Sequence, residues 1–200
     1  MKKYLKWIIF TISFIIFIIL SILVLSKKDI AIDALVYNKI SSLIKNNLTN
    51  NIKLLTYLGS GVVVIGITVF VIIFFKNKKY GLFLSIDLAL ITIIQIILKN
   101  IFTRYRPLDI VLIKEKGYSF PSGHSLTSMA FYGLIIYLIY NSKLKRQEKI
   151  IYITLFSIFI LIVGLSRIYL GVHFFTDVVG GFTFSICFLI IYTSIIKDKL

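Results

Sequence analysis

Apolar residues along the 200-residue chain come in long blocks, separated by shorter polar stretches rich in lysine. A hydrocarbon layer about 30 Å thick is crossed by roughly 20 apolar residues in a helix. Six blocks reach or approach that length: Trp7–Leu25, Leu54–Phe75, Leu82–Leu98, Ser125–Tyr140, Ile150–Leu165 and Phe174–Ile196. The pattern predicts an all-α, polytopic membrane protein, a six-transmembrane-helix bundle. The first block runs into Ser26, Lys27 and Lys28 with no small-residue cleavage site, so it reads as a retained span. Ser26–Lys53 is too polar to cross. Ile32, Val36, Ile40 and Leu43 recur there at helical spacing, which predicts an amphipathic helix on the outer surface. Such a helix serves as a lid, as a lipid-entry element or as a plain connector. Residues 1–53 thus form a first span plus an outer segment, and 54–196 form the bundle that carries the chemistry, within one structural domain.

A composition of 58% hydrophobic residues excludes an ordinary soluble domain. The net charge of +15 raises nucleic acid as a partner, but the cations flank the apolar blocks, and the bilayer explains them better. No nucleic-acid partner is expected. The cations divide almost evenly between the two sides, so the short connectors decide orientation. Lys76–Tyr80 and Asn141–Lys149 are dense in lysine and arginine, which places them, and both termini, in the cytoplasm. Cys187 is the single cysteine; an internal disulfide and a cysteine-built metal site are excluded. Gly59, Gly61 and Gly66 lack a following Gly-Lys-Ser/Thr and read as points of close helix approach. Asp87, an ionisable residue within a span, is a functional candidate by default, but it falls near the cytoplasmic end, within reach of water. Gln95 lies one turn before Lys99 and is positioned to steady its ammonium.

The stretch Ser166–Asp177, SRIYLGVHFFTD, concentrates polar chemistry between two apolar runs. His173 and Asp177 are four apart, which on a helix puts them on one face about 6 Å apart along the axis. The carboxylate can hold one imidazole nitrogen and leave the other with a free lone pair. Arg167 offers a planar fork that suits phosphate oxygens. The two prolines punctuate another segment: Pro107 marks the end of the third helix, and Pro121-Ser122 the start of the fourth with Ser122 as N-cap. Free N–H groups there, beside Gly123, form an anion site with His124 at its rim. The six-span topology brings Lys99, Arg106, Arg167, His124, His173, Asp177, Ser122 and Gly123 to one level on the outer side. These are the parts of phosphoryl transfer through a covalent intermediate, with one neutral histidine attacking phosphorus and a second, protonated one giving its proton to the leaving oxygen. A metal held by both histidines and Asp177 is the alternative, and three neighbouring cations oppose it. Polar residues scattered at a membrane interface are another.

Lys99-x6-Arg106-Pro107, Pro121-Ser122-Gly123-His124 and Ser166-Arg167-x5-His173-x3-Asp177 resemble the three signature motifs of the type-2 phosphatidic acid phosphatase family. The likeness runs from about Leu54 to Ile196 and leaves the first span and outer segment outside it. It implies a helical bundle with its active site at the extracytoplasmic membrane interface, and a phosphatase that needs no metal or other cofactor. By the resemblance, His173 forms the phosphohistidine, Asp177 orients it and His124 donates the proton. Lys99, Arg106, Ser122, Gly123 and Arg167 hold the phosphate. The soluble haloperoxidase branch is disfavoured by the spans. A lipid phosphate is the expected substrate: undecaprenyl diphosphate, phosphatidylglycerophosphate or phosphatidic acid. A lipid phosphotransferase with the same nucleophile, and a non-enzymatic transporter or scaffold, stay open, as does the oligomeric state.

Overall fold

The computed structural model describes residues 2–107 and 111–199. Eight α-helices carry the described chain: α1 (Lys2–Leu25), α2 (Ala31–Ser41), α3 (Asn46–Thr56), α4 (Gly61–Phe74), α5 (Lys78–Phe102), α6 (Gly123–Asn141), α7 (Arg146–Tyr169) and α8 (Phe175–Ile196). There are no strands among the described residues.

The helices bury polarity and expose grease, as a lipid solvent demands. On α1 the exposed face is Ile8, Ile12, Ile15, Ile19 and Ile22, while the buried face is Ser13, Phe17, Ser21 and Val24. Both sets recur every three to four residues, so each is one stripe of a helix. Water gives no drive between helices in lipid; small residues on the buried stripe let α1 pack closely on α8.

Four helices are long and apolar enough to cross a membrane: Tyr4–Leu25 within α1, then α5, α7 and Phe175–Lys199. A fifth crossing results if Asn46–Gly59 and Gly61–Phe74, bent by 49°, act as one span. The expected six are therefore not all established. Two departures explain the difference. The second block does not begin a helix at Leu54: α3 runs through it into a 3₁₀ turn, Tyr57–Gly59, and α4 starts only after Ser60. The Ser60 hydroxyl accepts from Val63 N–H and caps the new helix at the break. The fourth block, α6, lies at the centre of the bundle, packed on α5, α7 and α8. Its faces meet protein rather than lipid, so it holds buried Ser125, Thr127 and Ser128 instead of an unbroken apolar run.

Other boundaries move less. The outer segment forms two helices, α2 and α3, rather than one; α2 packs on α7 and α8, and α3 on α7. Helix α5 ends before Pro107, at Thr103, whose backbone is left-handed (φ 44°). Of the three glycines read as close-approach points, only Gly59 is one: a Cβ there would meet Val163 and His124, whereas Gly61 and Gly66 face open space. Gly181 is the less yielding contact, since its Cβ would fall 2.9 Å from the Ser122 carbonyl oxygen and 3.1 Å from Leu126 N, both backbone atoms. That approach seats α8 against the first turn of α6. Beneath it, Phe17, Phe102, Phe120 and Phe184 form an aromatic cluster from α1, α5, the loop before α6, and α8.

Candidate active site

Two connecting segments, the α5–α6 segment and the α7–α8 turn, meet at one end of the bundle. Helix α7 ends at Leu170, and Gly171, with φ of 70°, turns the chain back. No side chain fits that left-handed backbone easily. The turn returns Val172 and His173 over the end of α7, with Val172 N–H on the Arg167 carbonyl at 3.3 Å. Helix α8 then starts after Phe174. His173 therefore sits in the turn before the helix, not on its face, and its pairing with Asp177 arises from capping. Asp177 Oδ2 accepts the Phe174 N–H at 2.9 Å and lies 3.3 Å from His173 Nδ1. An ionised carboxylate only accepts, so Nδ1 carries the proton and Nε2 keeps its lone pair. Arg106 Nη1 donates to Nε2 at 3.1 Å.

The segment between α5 and α6 folds over its own arginine. Arg106 donates to the carbonyls of Gly117 (2.9 Å), Lys116 (3.0 Å) and Val172 (2.8 Å), which locks its guanidinium in place beside His173. Lys99 donates to the Tyr118 carbonyl; Gln95 does not steady it, and its oxygen instead accepts from Thr127 at 3.5 Å. Ser122 caps α6 as expected: its hydroxyl accepts from Ser125 N–H and from the Ser125 hydroxyl. It is fully buried and its oxygen is engaged within the cap. Gly123 gives Gln95 room, since a Cβ there would come 2.7 Å from the amide nitrogen.

Lys99, Arg106, Gly123, His124 and His173 line one cavity of about 320 Å³, with Glu115 and Thr92 among its other walls. Ser122, Asp177 and Arg167 stand behind that wall. Arg167 is 1% exposed, and its fork is taken by Thr56 Oγ1 at 2.9 Å and by Glu115 Oε1. Only its Nε–H lacks a partner among the described residues. Burial pushes Glu115 up, but Arg167, by charge and hydrogen bond, outweighs it and holds the carboxyl below the usual range. Burial, reinforced by Arg106, Lys99 and Arg167, holds the His173 imidazole well below its ordinary range. The ring is therefore neutral at neutral pH, which is the state a nucleophile needs.

Two residues with no part in the expected site stand beside it. Arg104 Nη1 donates to Asp177 Oδ1 at 2.6 Å, and Arg104 Nη2 to Asp33 Oδ2 at 2.8 Å. Nothing in the sequence pairs α2 with this loop. Asp87, expected near water, is 0% exposed and neither oxygen has a partner among the described residues. No group of three His, Cys, Asp or Glu able to hold a metal occurs among the described residues.

The sequence matches the model of the PAP2 superfamily over residues 80–200. The chain belongs to this superfamily. Lys99, Arg106, Ser122, Gly123, His124, Arg167, His173 and Asp177 all fall within the matched region, while Asp33 and Thr56 fall outside it. Among PAP2-related proteins, phosphatidylglycerophosphatase B of Bacillus subtilis is 34% identical over 137 residues, 64% of this chain and 66% of that protein. An undecaprenyl-diphosphatase of Sulfolobus acidocaldarius is 28% identical over 190 residues, covering 90% of this chain and 86% of the relative. The crystal structure of a transmembrane PAP2-type phosphatidylglycerolphosphate phosphatase from Bacillus subtilis superposes with a TM-score of 0.84 at 25% identity, over 94% of this chain and 96% of the other.

Proposed function

We propose that this PAP2 protein cleaves phosphate from a lipid phosphate or diphosphate through a phosphohistidine, with phosphatidylglycerophosphate or undecaprenyl diphosphate as the favoured substrate. That it is a membrane lipid-phosphate hydrolase rests on the family and on the phosphatase relatives. The observation that carries the mechanism is the His173 dyad: Nδ1 on Asp177 and Nε2 turned to Arg106 at the cavity wall.

His173 Nε2 attacks phosphorus, and the bond to the lipid oxygen breaks with its electron pair. His124, across the same cavity, supplies the proton to that oxygen; burial and then Arg167 push its pKa down to about 4, so the negative charge of the bound phosphate is what brings a proton onto it. Lys99, Arg106 and the Gly123 backbone at the start of α6 hold the equatorial oxygens, with Arg167 contributing charge through its uncommitted Nε–H. Ser122 acts by shaping that helix start. Water, with His124 now taking its proton, then releases phosphate. The cavity extends along α5 past Gln95 and Thr92 to Leu88, so a headgroup at Lys99 leaves its tail beside an apolar helix face.

Six crossings, with α6 as the protein-enclosed one, put both termini in the cytoplasm and the site outside. Residues 54–196 form the catalytic bundle, to which α1 and the outer helices are added. Single cysteines at Lys114 and Lys145, in a background lacking Cys187, test this: labelling from the same side of intact cells overturns the topology.

The deciding assay is phosphate release, with EDTA present, from phosphatidylglycerophosphate, undecaprenyl diphosphate, phosphatidic acid and a soluble phosphate ester. Preference for one lipid is expected. Release only on adding a divalent ion overturns the metal-free mechanism. A new phosphorylated lipid on adding an alcohol acceptor replaces hydrolysis with phosphotransfer.

A further inference from the structure

The outer helix α2 reaches His173 through a chain of charges in which two buried aspartates flank a partly buried arginine. Asp33, in the first turn of α2, is 5% exposed and binds the start of α8 with both oxygens. Its Oδ1 accepts Thr176 N–H and its Oδ2 accepts the Thr176 hydroxyl, each at 2.8 Å. The same Oδ2 accepts Arg104 Nη2 at 2.8 Å. Arg104 Nη1 bridges onward to Thr176 Oγ1 at 2.8 Å and Asp177 Oδ1 at 2.6 Å. Its guanidinium lies over the Phe174 ring, 4.0 Å from the centroid. The order is thus Asp33, Arg104, Asp177, His173, outside the lining of the 320 Å³ cavity except for His173 itself, and beside a second cavity of about 790 Å³ that Asp33, Arg104 and His173 line.

We propose that Asp33 and Arg104 are positioning residues for His173, and that α2 is thereby a working part of the active site. The inference rests on His173 being the nucleophile. As Nε2 bonds to phosphorus and the P–O bond breaks, the ring keeps its Nδ1 proton and becomes cationic. Asp177 with Arg104 alone forms a neutral pair, which does little for that charge. Asp33 makes the three-residue cluster net negative beside the ring where positive charge appears. Because Arg104 is held from both sides, Asp177 keeps a fixed cation when phosphate draws Lys99 and Arg106 to itself. In a buried site such charge-assisted bonds are stronger than at the surface.

The charges make a prediction that mere support of the fold does not. Asp33→Asn lowers kcat about 10- to 100-fold with KM unchanged, the loss of one charge-assisted bond. Arg104→Gln leaves Asp33 and Asp177 facing each other without a cation. Adding Asp33→Asn to it removes that repulsion, so the double variant loses no more activity than Arg104→Gln alone. Independent structural losses would add. Affinity for orthovanadate, a five-coordinate phosphoryl mimic, is measured alongside by calorimetry in detergent and falls with kcat. It needs no lipid, so a wild type that binds vanadate and hydrolyses none of the lipids defeats the proposed activity while still testing the positioning. Arg104→Lys, which keeps the charge but not the two-pronged bridge, is read the same way if Arg104→Gln does not fold, and falls between wild type and Asp33→Asn. Wild-type turnover and vanadate affinity in Asp33→Asn, additive losses in the double variant, or a loss that matches only the reduced folded fraction each overturn the inference.

Discussion

Replacing Asp177 with Asn separates the orientation of His173, the proposed nucleophile, from its presence. The carboxylate is fully buried and receives donors on both oxygens, among them Phe174 N–H at 2.9 Å and His173 Nδ1 at 3.3 Å on Oδ2, and Arg104 Nη1 at 2.6 Å on Oδ1. An amide has one oxygen that accepts and one NH₂ that only donates. With the oxygen toward Arg104, the NH₂ confronts Phe174 N–H and His173. The ring must then carry its proton on Nε2, and the attacking lone pair is gone. With the oxygen turned the other way, the NH₂ meets the Arg104 guanidinium, donor against donor, and a charge-assisted bond of about 1.5–3 kcal/mol is lost. The first arrangement stops chemistry and the second costs stability. Arg104 keeps Asp33, so its charge is not left alone, and the stability loss stays below the roughly 3–5 kcal/mol typical of a broken buried pair. The wrong tautomer in a serine-protease triad lowers kcat about 10⁴-fold, and a fall of about 10³- to 10⁴-fold is expected here. The assay is phosphate release by detergent-purified protein, with folded fraction and melting temperature measured on the same sample. A folded Asp177→Asn variant with kcat within about tenfold of wild type refutes the orienting role.

Other expectations follow from the same geometry. His173→Ala abolishes turnover while the purified protein keeps its elution profile; substantial residual release removes His173 as nucleophile. Because His173 is held well below its ordinary range by burial and by Arg106, Lys99 and Arg167, its neutral form persists in acid, and the acid limb of kcat/KM lies well below an ordinary histidine's value of about 6.5. The linked stability has a definite sign: the unfolded ring binds a proton near 6.5 and the folded ring does not, so this contribution is present above about 6.5 and lost as pH falls toward the folded value. An acid limb at 6.5 or higher contradicts the burial argument. Gly181→Ala forces a methyl against the Ser122 carbonyl and Leu126 N–H, which are backbone and cannot swing aside, and lowers stability by about 1–3 kcal/mol, read as a shift in melting temperature. EDTA leaves phosphate release unchanged, and a loss restored by a divalent ion would reopen the metal reading.

The helical membrane character was legible because it depends on local composition alone. Ile8, Ile12, Ile15, Ile19 and Ile22 say by themselves that α1 meets lipid. The Ser122 cap was equally local, since its partners are three residues away. What local reading misplaced were features decided by a neighbour far along the chain. The polarity of α6 reflects which faces meet protein. Asp87 reads as water-accessible until α5 is packed, when it becomes fully buried.

The sequence by itself determined the chemistry available: two histidines, an acid four residues after one of them, and cations at spacings that bring them to one end of a helical bundle. Covalent order and helix rise are enough for that. Only the tertiary structure decided how the parts are used. It set His173 in a turn rather than on a helix face, committed most of the Arg167 fork to Thr56 and Glu115, and joined Asp33 to Arg104 across 71 positions of the chain. A buried charge must find a partner wherever packing puts one, and that partner's address is a property of the folded chain.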